Sequence, residues 1–280
     1  MVYVNGSYLD RSIASVSFED RGYQFSDGVY EVFALHNCSL IDEVAHFERL
    51  FRSLKELSIE VPWNRSVIKV IIAEVIRRNR IQYGNVYLQI TRGNAKRTHE
   101  FPRILPKPSL VVVANRISYP IEKSIKGVSV RTLPDIRWRR ADIKTISLLP
   151  NVLAKQKAVM DEFNEAWFVD TEGKVTEGAS TNAWIVDYKG RLITRGLGKD
   201  ILAGVTRNRV MKLAQRDGFN ILERGFTVDE AYSASEAFMT STTAGVKPVI
   251  KIDDREIADG STGKITLRLI SLYSDFLATG

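Results

Sequence analysis

Lys144 and Glu177 are the two side chains whose surroundings suit covalent and proton chemistry. Lys144 lies in Asp142-Ile143-Lys144-Thr145, and Glu177 lies in Thr176-Glu-Gly-Ala-Ser-Thr-Asn182. An amine that gives up its proton readily can form a Schiff base with a carbonyl. Burial and nearby positive charge favour its neutral form, and Arg137, Arg139 and Arg140 come just before Lys144. A carboxylate beside a pyridine nitrogen keeps that nitrogen protonated, so the ring accepts the electrons left when a bond at a substrate α-carbon breaks. Gly178, with no side chain, would let the backbone come close to such a ring. The pair points to a Schiff-base cofactor, pyridoxal 5'-phosphate. Taken singly, Lys144 also reads as a surface lysine at a strand end, and 173–178 as a loop with a glycine turn.

A phosphate would need donors. Gly204-Val205-Thr206-Arg207 precedes a helical pattern, so its N–H groups can face an anion, and Thr206 adds a hydroxyl. Arg49 could supply a charged fork, and Ser241-Thr242-Thr243 further hydroxyls. A helix cap, a surface ion pair and a polar strand end are the plainer readings of these three. The cation-rich stretch 91–102 places Arg97 and His99 two apart, where both can hold a carboxylate. An exposed basic loop is the alternative there.

Elements must position these groups. Asn5-Gly6 predicts a hairpin at the start of the chain. Residues 28–40 alternate as strands with a turn at Asn37-Cys38. Val44, Phe47, Leu50, Phe51, Leu54 and Leu57 recur at three- and four-residue steps, which predicts a helix over 43–57. A second helix starts at Asn64. Strands are predicted over 85–92, 110–116 and 128–132. The stretch 117–127, with Pro120 and several lysines, is the best interdomain link. A helix over 151–163, strands at 166–170, 181–187 and 190–194, and a helix from Ala203-Gly204 to near Gly218 follow. Strands near 220–224 and 236–241, a hairpin over 249–257 and a helix from Ser261 complete the chain. The pattern is mixed α and β with many hairpins, not a repeating βαβ winding.

The chain has 280 residues, a net charge of +7, one cysteine and three histidines. An intrachain disulfide and a cysteine metal cage are excluded, and His36, His46 and His99 have no metal-binding spacing. No apolar run approaches the roughly 20 residues that span a bilayer. The N-terminus has no leader pattern, so a cytoplasmic location and no membrane partner are expected. No recognition motif accompanies the charge, so nucleic acid is not an expected partner.

In order along its length the chain carries Asp20-Arg-Gly-Tyr-Gln-Phe-Ser-Asp-Gly-Val-Tyr-Glu31, His46-Phe-Glu-Arg-Leu50, Gln89-Ile-Thr-Arg-Gly93, Asp142-Ile-Lys-Thr145, Leu153-Ala-Lys-Gln156, Thr176-Glu-Gly-Ala-Ser-Thr-Asn182, Gly204-Val-Thr-Arg207 and Thr240-Ser-Thr-Thr243. With these motifs it resembles the fold-type IV pyridoxal-phosphate enzymes, and within them the bacterial D-amino acid aminotransferases. The resemblance implies an α/β (α+β) fold of two domains with the cofactor at their interface. A smaller N-terminal domain would cover 1–119, and a larger C-terminal domain, 120–280, would carry the cofactor lysine. Lys144 would bind the cofactor and carry the proton, and Glu177 would partner the ring nitrogen. Arg49, Val205, Thr206, Ser241 and Thr242 would hold the phosphate, with Ser180 and Leu202 around the ring. Tyr30, Arg97 and His99 would trap the substrate carboxylate on the side that exposes the α-hydrogen of a D-amino acid to the lysine.

The resemblance further implies D-amino acids and 2-oxo acids as substrates, ping-pong kinetics, and a homodimer sharing residues between sites. Ser147 and Pro150 stand where relatives have asparagine and a small residue, and Ala179 replaces a hydroxyl residue; none of these removes a group with a chemical role. Branched-chain L-amino acid aminotransferase and aminodeoxychorismate lyase are the alternatives with the same cofactor. A basic nucleic-acid-binding protein is the alternative outside enzymes.

Overall fold

A computed structural model describes residues 1–117 and 125–279. The chain forms two compact units. One comprises Met1–Ser118 with Ile143–Ser147, and the other Tyr119–Asp142 with Leu148–Gly280. The boundary expected at 119/120, and Pro120 with it, lies outside the described residues. Among those residues no helix is long and apolar enough to cross a membrane.

The first unit runs β1 (Val2–Val4), β2 (Ser7–Leu9), α1 (Arg21–Phe25), β3 (Gly28–His36), β4 (Ser39–Leu40), α2 (Glu43–Glu56), α3 (Arg65–Asn79), β5 (Gly84–Thr91) and β6 (Ser109–Arg116). Its described strands form an antiparallel sheet in the order β2-β1-β6-β5-β3-β4. Asn5 and Gly6 take positive φ, the left-handed turn their sequence predicts for a hairpin. Residues alternate across β3, so Val29, Phe33 and Leu35 face a core built with Phe47, Leu50 and Leu54 of α2 and Ile68, Ile72 and Val75 of α3. Glu31 shares that inward row and is fully buried.

β4 pairs only with Leu35 and His36, at the far end of β3. The near end of the same strand receives residues 143–147. Tyr30 N–H donates to the Lys144 carbonyl at 3.0 Å, and Ile146 N–H donates to the Gly28 carbonyl at 3.1 Å. Val29 and Thr145 form an antiparallel bridge. The sequence reading expects Lys144 in the C-terminal domain, and the contacts group 143–147 with the first unit. The segment is grouped with the first unit because its backbone polar groups are satisfied on β3.

The second unit contains β7 (Val128–Pro134), α4 (Leu149–Met160), β8 (Glu165–Val169), β9 (Lys174–Gly178), β10 (Asn182–Val186), β11 (Leu192–Thr194), α5 (Val205–Arg216), β12 (Ile221–Glu223), β13 (Phe226–Thr227), α6 (Val228–Tyr232), β14 (Glu236–Ser241), β15 (Gly245–Ile252), β16 (Arg255–Glu256) and α7 (Lys264–Thr279). The sheet order is β12-β11-β10-β14-β15-β7-β8-β9-β13, with β16 on β15. β7, α4 and β8 make one parallel βαβ unit and β11, α5 and β12 another. β15 also runs parallel to β7, and among the described residues the sheet's other neighbours pair antiparallel. β10 is buried along its whole length. Trp184 and Val186 pack with α5 and α7, while Ala183 and Ile185 pack on the other face with Trp167 and Phe226. The reading of 173–178 as a loop is corrected, since residues 174–178 form β9, antiparallel to β8. The short helices α1 and α6 have no counterpart among the sequence-based elements.

Gly28 lets the 143–147 segment come close. A Cβ there would stand 2.7 Å from the Ile90 carbonyl oxygen and 3.1 Å from Ile146 Cδ1. Gly28→Ala is therefore expected to destabilise the protein by about 1–3 kcal/mol, as overpacking does. Urea unfolding measures this, and an unchanged midpoint would show that the approach is loose.

Candidate active site

In the first unit, α2 presents two stripes to the sheet. Phe47, Leu50 and Leu54 form the apolar one, and His46, Arg49 and Ser53 form a buried polar one. The polar stripe answers Glu31. Arg49 Nε donates to Glu31 Oε1 at 2.7 Å and its Nη2 donates to Oε2 at 2.9 Å. His46 Nδ1 lies 2.8 Å from Oε2. Burial works against the Glu31 charge, but Arg49 and then His46 outweigh it and bring its pKa down to about 2. His46 is pushed below its ordinary value, chiefly by burial, with the Arg49 and Lys144 charges adding to the effect against Glu31. A neutral imidazole then donates its Nδ1–H to the carboxylate.

Ser53 Oγ, next on the stripe, accepts the Lys144 N–H at 3.3 Å. With the Tyr30 bond, the lysine main chain is held from both sides. Its side chain is half-buried, and Nζ stands 4.1 Å from the centre of the Tyr30 ring. Tyr30 stacks on Tyr87 at 5.8 Å. The Tyr87 hydroxyl donates to Gln89 Oε1 at 2.6 Å. Burial, helped by Tyr30, pushes the Tyr87 pKa up to about 12. The structure thus sets the Lys144 amine over Tyr30 on one face of β3 and the Arg49 cluster on Glu31 at the other.

Arg97 and His99 sit apart from these, exposed in the loop after β5. Both rest on Phe25 of α1, the Arg97 guanidinium 5.1 Å and the His99 ring 5.4 Å from its centre. Among the described residues, no contact joins either of them to Tyr30 in the same chain.

In the second unit, Glu177 lies in a bulge. Trp167 pairs with Gly178 and Val169 with Val175, so β9 has one residue more than β8 over this stretch. The bulge aims the carboxylate at three donors. Arg137 Nη1 binds Oε1. Asn182 Nδ2 and Leu202 N–H donate to Oε2 at 3.0 and 3.1 Å. Arg137 is nearly buried, which disfavours its charge, but hydrogen bonds to Asp135 and the charges of Glu177 and Asp135 raise its pKa overall. Arg137 therefore serves Glu177 and Asp135, while Arg140 pairs with Asp142.

Asn182 also donates to the Leu202 carbonyl at 3.0 Å. Gly204, the N-cap of α5, leaves its α-carbon bare where a Cβ would collide with Asn182 Oδ1. Val205 and Thr206, both buried, open the helix, whose first N–H groups have no intrahelical acceptor. α5 packs on β14, which ends at Ser241. Ser241 Oγ accepts the Ala244 N–H at 3.2 Å, and Thr242 lies half-buried in that turn. Ser180 is exposed and donates to the buried Glu165 at 2.5 Å. The Glu177 carboxylate as acceptor and the bare start of α5 as N–H donors, linked by one asparagine, suit a heteroaromatic ring N–H and a phosphate.

Glu31, His46, Ser53, Asn182 and Glu165 contact the candidate residues and are given no role by the sequence reading, which names Arg137 only as charge near Lys144. A signal for some of them exists. Residues 46, 49 and 53 follow helical spacing beside an apolar stripe, and a glutamate interrupts the apolar alternation of β3.

Comparison with known proteins bears on this geometry. The sequence pattern of the family described as amino-transferase class IV matches residues 28–252. The chain is 36% identical over 277 residues to a D-alanine aminotransferase of Staphylococcus haemolyticus, covering 99% of this chain and 97% of that one. It is 39% identical over 265 residues to a D-alanine aminotransferase of Bacillus licheniformis, covering 95% and 93%. Its structure is similar, with a TM-score of 0.90 and 26% identity, to a T.th. branched-chain amino acid aminotransferase solved with pyridoxamine 5'-phosphate, covering 99% of this chain and 94% of that one.

The Glu31 cluster makes a pH prediction. The Glu31 pKa falls from 4.5 to about 2 on folding, so its contribution is complete above pH 4.5 and is lost as pH falls toward 2. Glu31→Gln leaves Arg49 buried without its anion and should cost roughly 3 kcal/mol at neutral pH. The stability gap between the two proteins should then narrow as pH drops below 4.5. Chemical unfolding across that range checks it; a gap independent of pH would reject the assignment.

Proposed function

We infer the function of this chain from its membership of the class IV aminotransferase family, to which it belongs. We propose that it transfers the amino group of a D-amino acid to a 2-oxo acid, with D-alanine and 2-oxoglutarate giving pyruvate and D-glutamate. The observation that carries this reading is the full-length likeness to D-alanine aminotransferases. When bound, pyridoxal 5'-phosphate supplies a carbonyl carbon for amine exchange and a ring that accepts the α-carbon electron pair.

The protein's own groups do the rest. The Lys144 amine holds the cofactor and moves the proton between the substrate α-carbon and the cofactor. Its backbone clamp on β3 keeps it at one height over Tyr30. Glu177, fixed by Arg137, Asn182 and Leu202, keeps the ring nitrogen protonated. The N-terminus of α5 with Val205 and Thr206, together with Arg49, Ser241 and Thr242, holds the phosphate, and Ser180 and Leu202 border the ring. Tyr30, Arg97 and His99 receive the substrate carboxylate. The side on which that carboxylate is held decides which α-hydrogen meets Lys144, and so the preference for D-amino acids. Two half-reactions at one site make the kinetics ping-pong.

The exposed loop bearing Arg97 and His99 suits a homodimer in which each chain completes its partner's site. Sedimentation should give the mass of two chains, and a monomer with full activity would reject a shared site. A branched-chain L-amino acid aminotransferase is the second reading, favoured by the structural likeness alone.

A substrate panel separates the readings. D-alanine, L-leucine and 4-amino-4-deoxychorismate are assayed with pyridoxal phosphate, and with 2-oxoglutarate where an acceptor is needed. Turnover is expected with D-alanine; turnover confined to L-leucine or to the chorismate amine refutes the proposal. Lys144→Ala should lose the visible cofactor band of the wild type together with transamination.

A further inference from the structure

Arg21 is a buried cation whose donors are spent on one loop. It opens α1 and is 3% exposed. Its Nε binds Asp27 at 2.8 Å. Nη1 donates to the Thr98 carbonyl at 2.7 Å and, more weakly, to that of Glu100 at 3.5 Å. Nη2 faces the His99 carbonyl at 3.4 Å. Its own N–H donates to the Gly93 carbonyl at 3.0 Å, where the loop leaves β5. The guanidinium lies 4.8 Å from the centre of the Phe25 ring, the ring on which Arg97 and His99 also rest.

Burying an arginine is unfavourable unless its donors are answered. Here the answers are three successive peptide carbonyls across His99. A planar fork facing successive carbonyls fixes peptide orientation, and so the directions in which neighbouring side chains leave the backbone.

The anchor extends to the strand that carries Tyr30. Asp27 directly precedes β3 and also accepts Arg92 Nε and Nη2 at 2.8 and 3.0 Å. Arg92 donates to the Ser58 and Leu57 carbonyls and lies 3.7 Å from the centre of the Phe101 ring, farther along the same loop. Asp20 caps α1 through the Gly22 N–H and accepts the Thr91 hydroxyl, which holds the helix to β5.

We propose that Arg21, held by Asp27, is a positioning residue for substrate-carboxylate recognition, setting the peptides at 98–100 so that Arg97 and His99 project in one fixed arrangement. Arg21 touches neither substrate nor cofactor in this scheme. The proposal rests on the reading that Arg97 and His99 receive the carboxylate.

The test uses holoenzyme, D-alanine with 2-oxoglutarate, and propionate as a competitive inhibitor that has a carboxylate but no amine. In Arg21→Met, KM for D-alanine and Ki for propionate should rise together by roughly tenfold to a hundredfold, the scale of a small misplacement. kcat should fall less than about threefold, and the cofactor band should be unchanged. Arg21→Lys keeps a cation for Asp27 but not the planar fork, so both constants should rise by an intermediate factor. This variant decides the matter if Arg21→Met does not fold.

Loss of kcat and of cofactor with an unchanged Ki would make Arg21 merely structural and overturn the proposal. So would an Arg21→Lys enzyme with wild-type constants. Arg97→Ala separates the two layers. If it leaves KM and Ki unchanged, the carboxylate reading itself fails. If it raises both while the Arg21 variants do not, only the positioning role fails.

Discussion

Two backbone hydrogen bonds between β3 and residues 144 and 146 decide where Lys144 stands. The partners are more than a hundred positions apart in sequence, yet each bond joins main-chain groups that need a partner once buried. The near end of β3 is open because β4 covers only its far end. The 143–147 segment fills that opening as a short added strand would. Every nearby feature follows from this pairing. Tyr30 lies under the lysine amine, Glu31 points the other way into the polar stripe of α2, and Ser53 on that stripe reaches the lysine N–H. Strand alternation thus separates the reactive face from the charge cluster that supports it.

Two buried carboxylates, one in each unit, solve the same electrostatic problem differently. Glu31 is fully buried and is balanced within the first unit by Arg49 and a neutral His46. Glu177 is balanced within the second unit by Arg137, which Asp135 holds in turn. A buried ion pair contributes little to stability by itself. Both pairs instead fix geometry, since each arginine binds its acidic partners through more than one nitrogen. Within the second unit, Arg137 binds Glu177 and Asp135, and Arg140 pairs with Asp142.

Much of this is legible in the sequence. The helix over α2 follows from its three- and four-residue spacing, the first hairpin from Asn5-Gly6, and the groups proposed for the site from the order of the motifs. What is not legible is long-range. Nothing local in Asp142-Ile-Lys-Thr145 says that it pairs with β3, so a cut by chain position does not follow that pairing. Thr176-Glu177-Gly178 has weak strand propensity and reads as a turn, but pairing with β8 overrides it. α1 spans five residues, too few to show a helical period. Arg137 lies forty positions from the carboxylate it binds, and spacing carries no trace of that contact.

Asn182 shows why the carboxylate and the anion-facing helix start belong to one device. Its amide nitrogen binds both Glu177 and the Leu202 carbonyl, and its oxygen occupies the space that a side chain at Gly204 would need. It stands on β10, is buried, and pairs with Thr240 of β14. A rigid ring with a phosphate arm has a fixed span between its nitrogen and its anion. A protein can match that span only if the two receiving groups are fixed relative to each other. Asn182 ties Glu177 to the Leu202 carbonyl, two residues before the N-cap of α5. A side chain at Gly204 would therefore disturb both ends of the device at once.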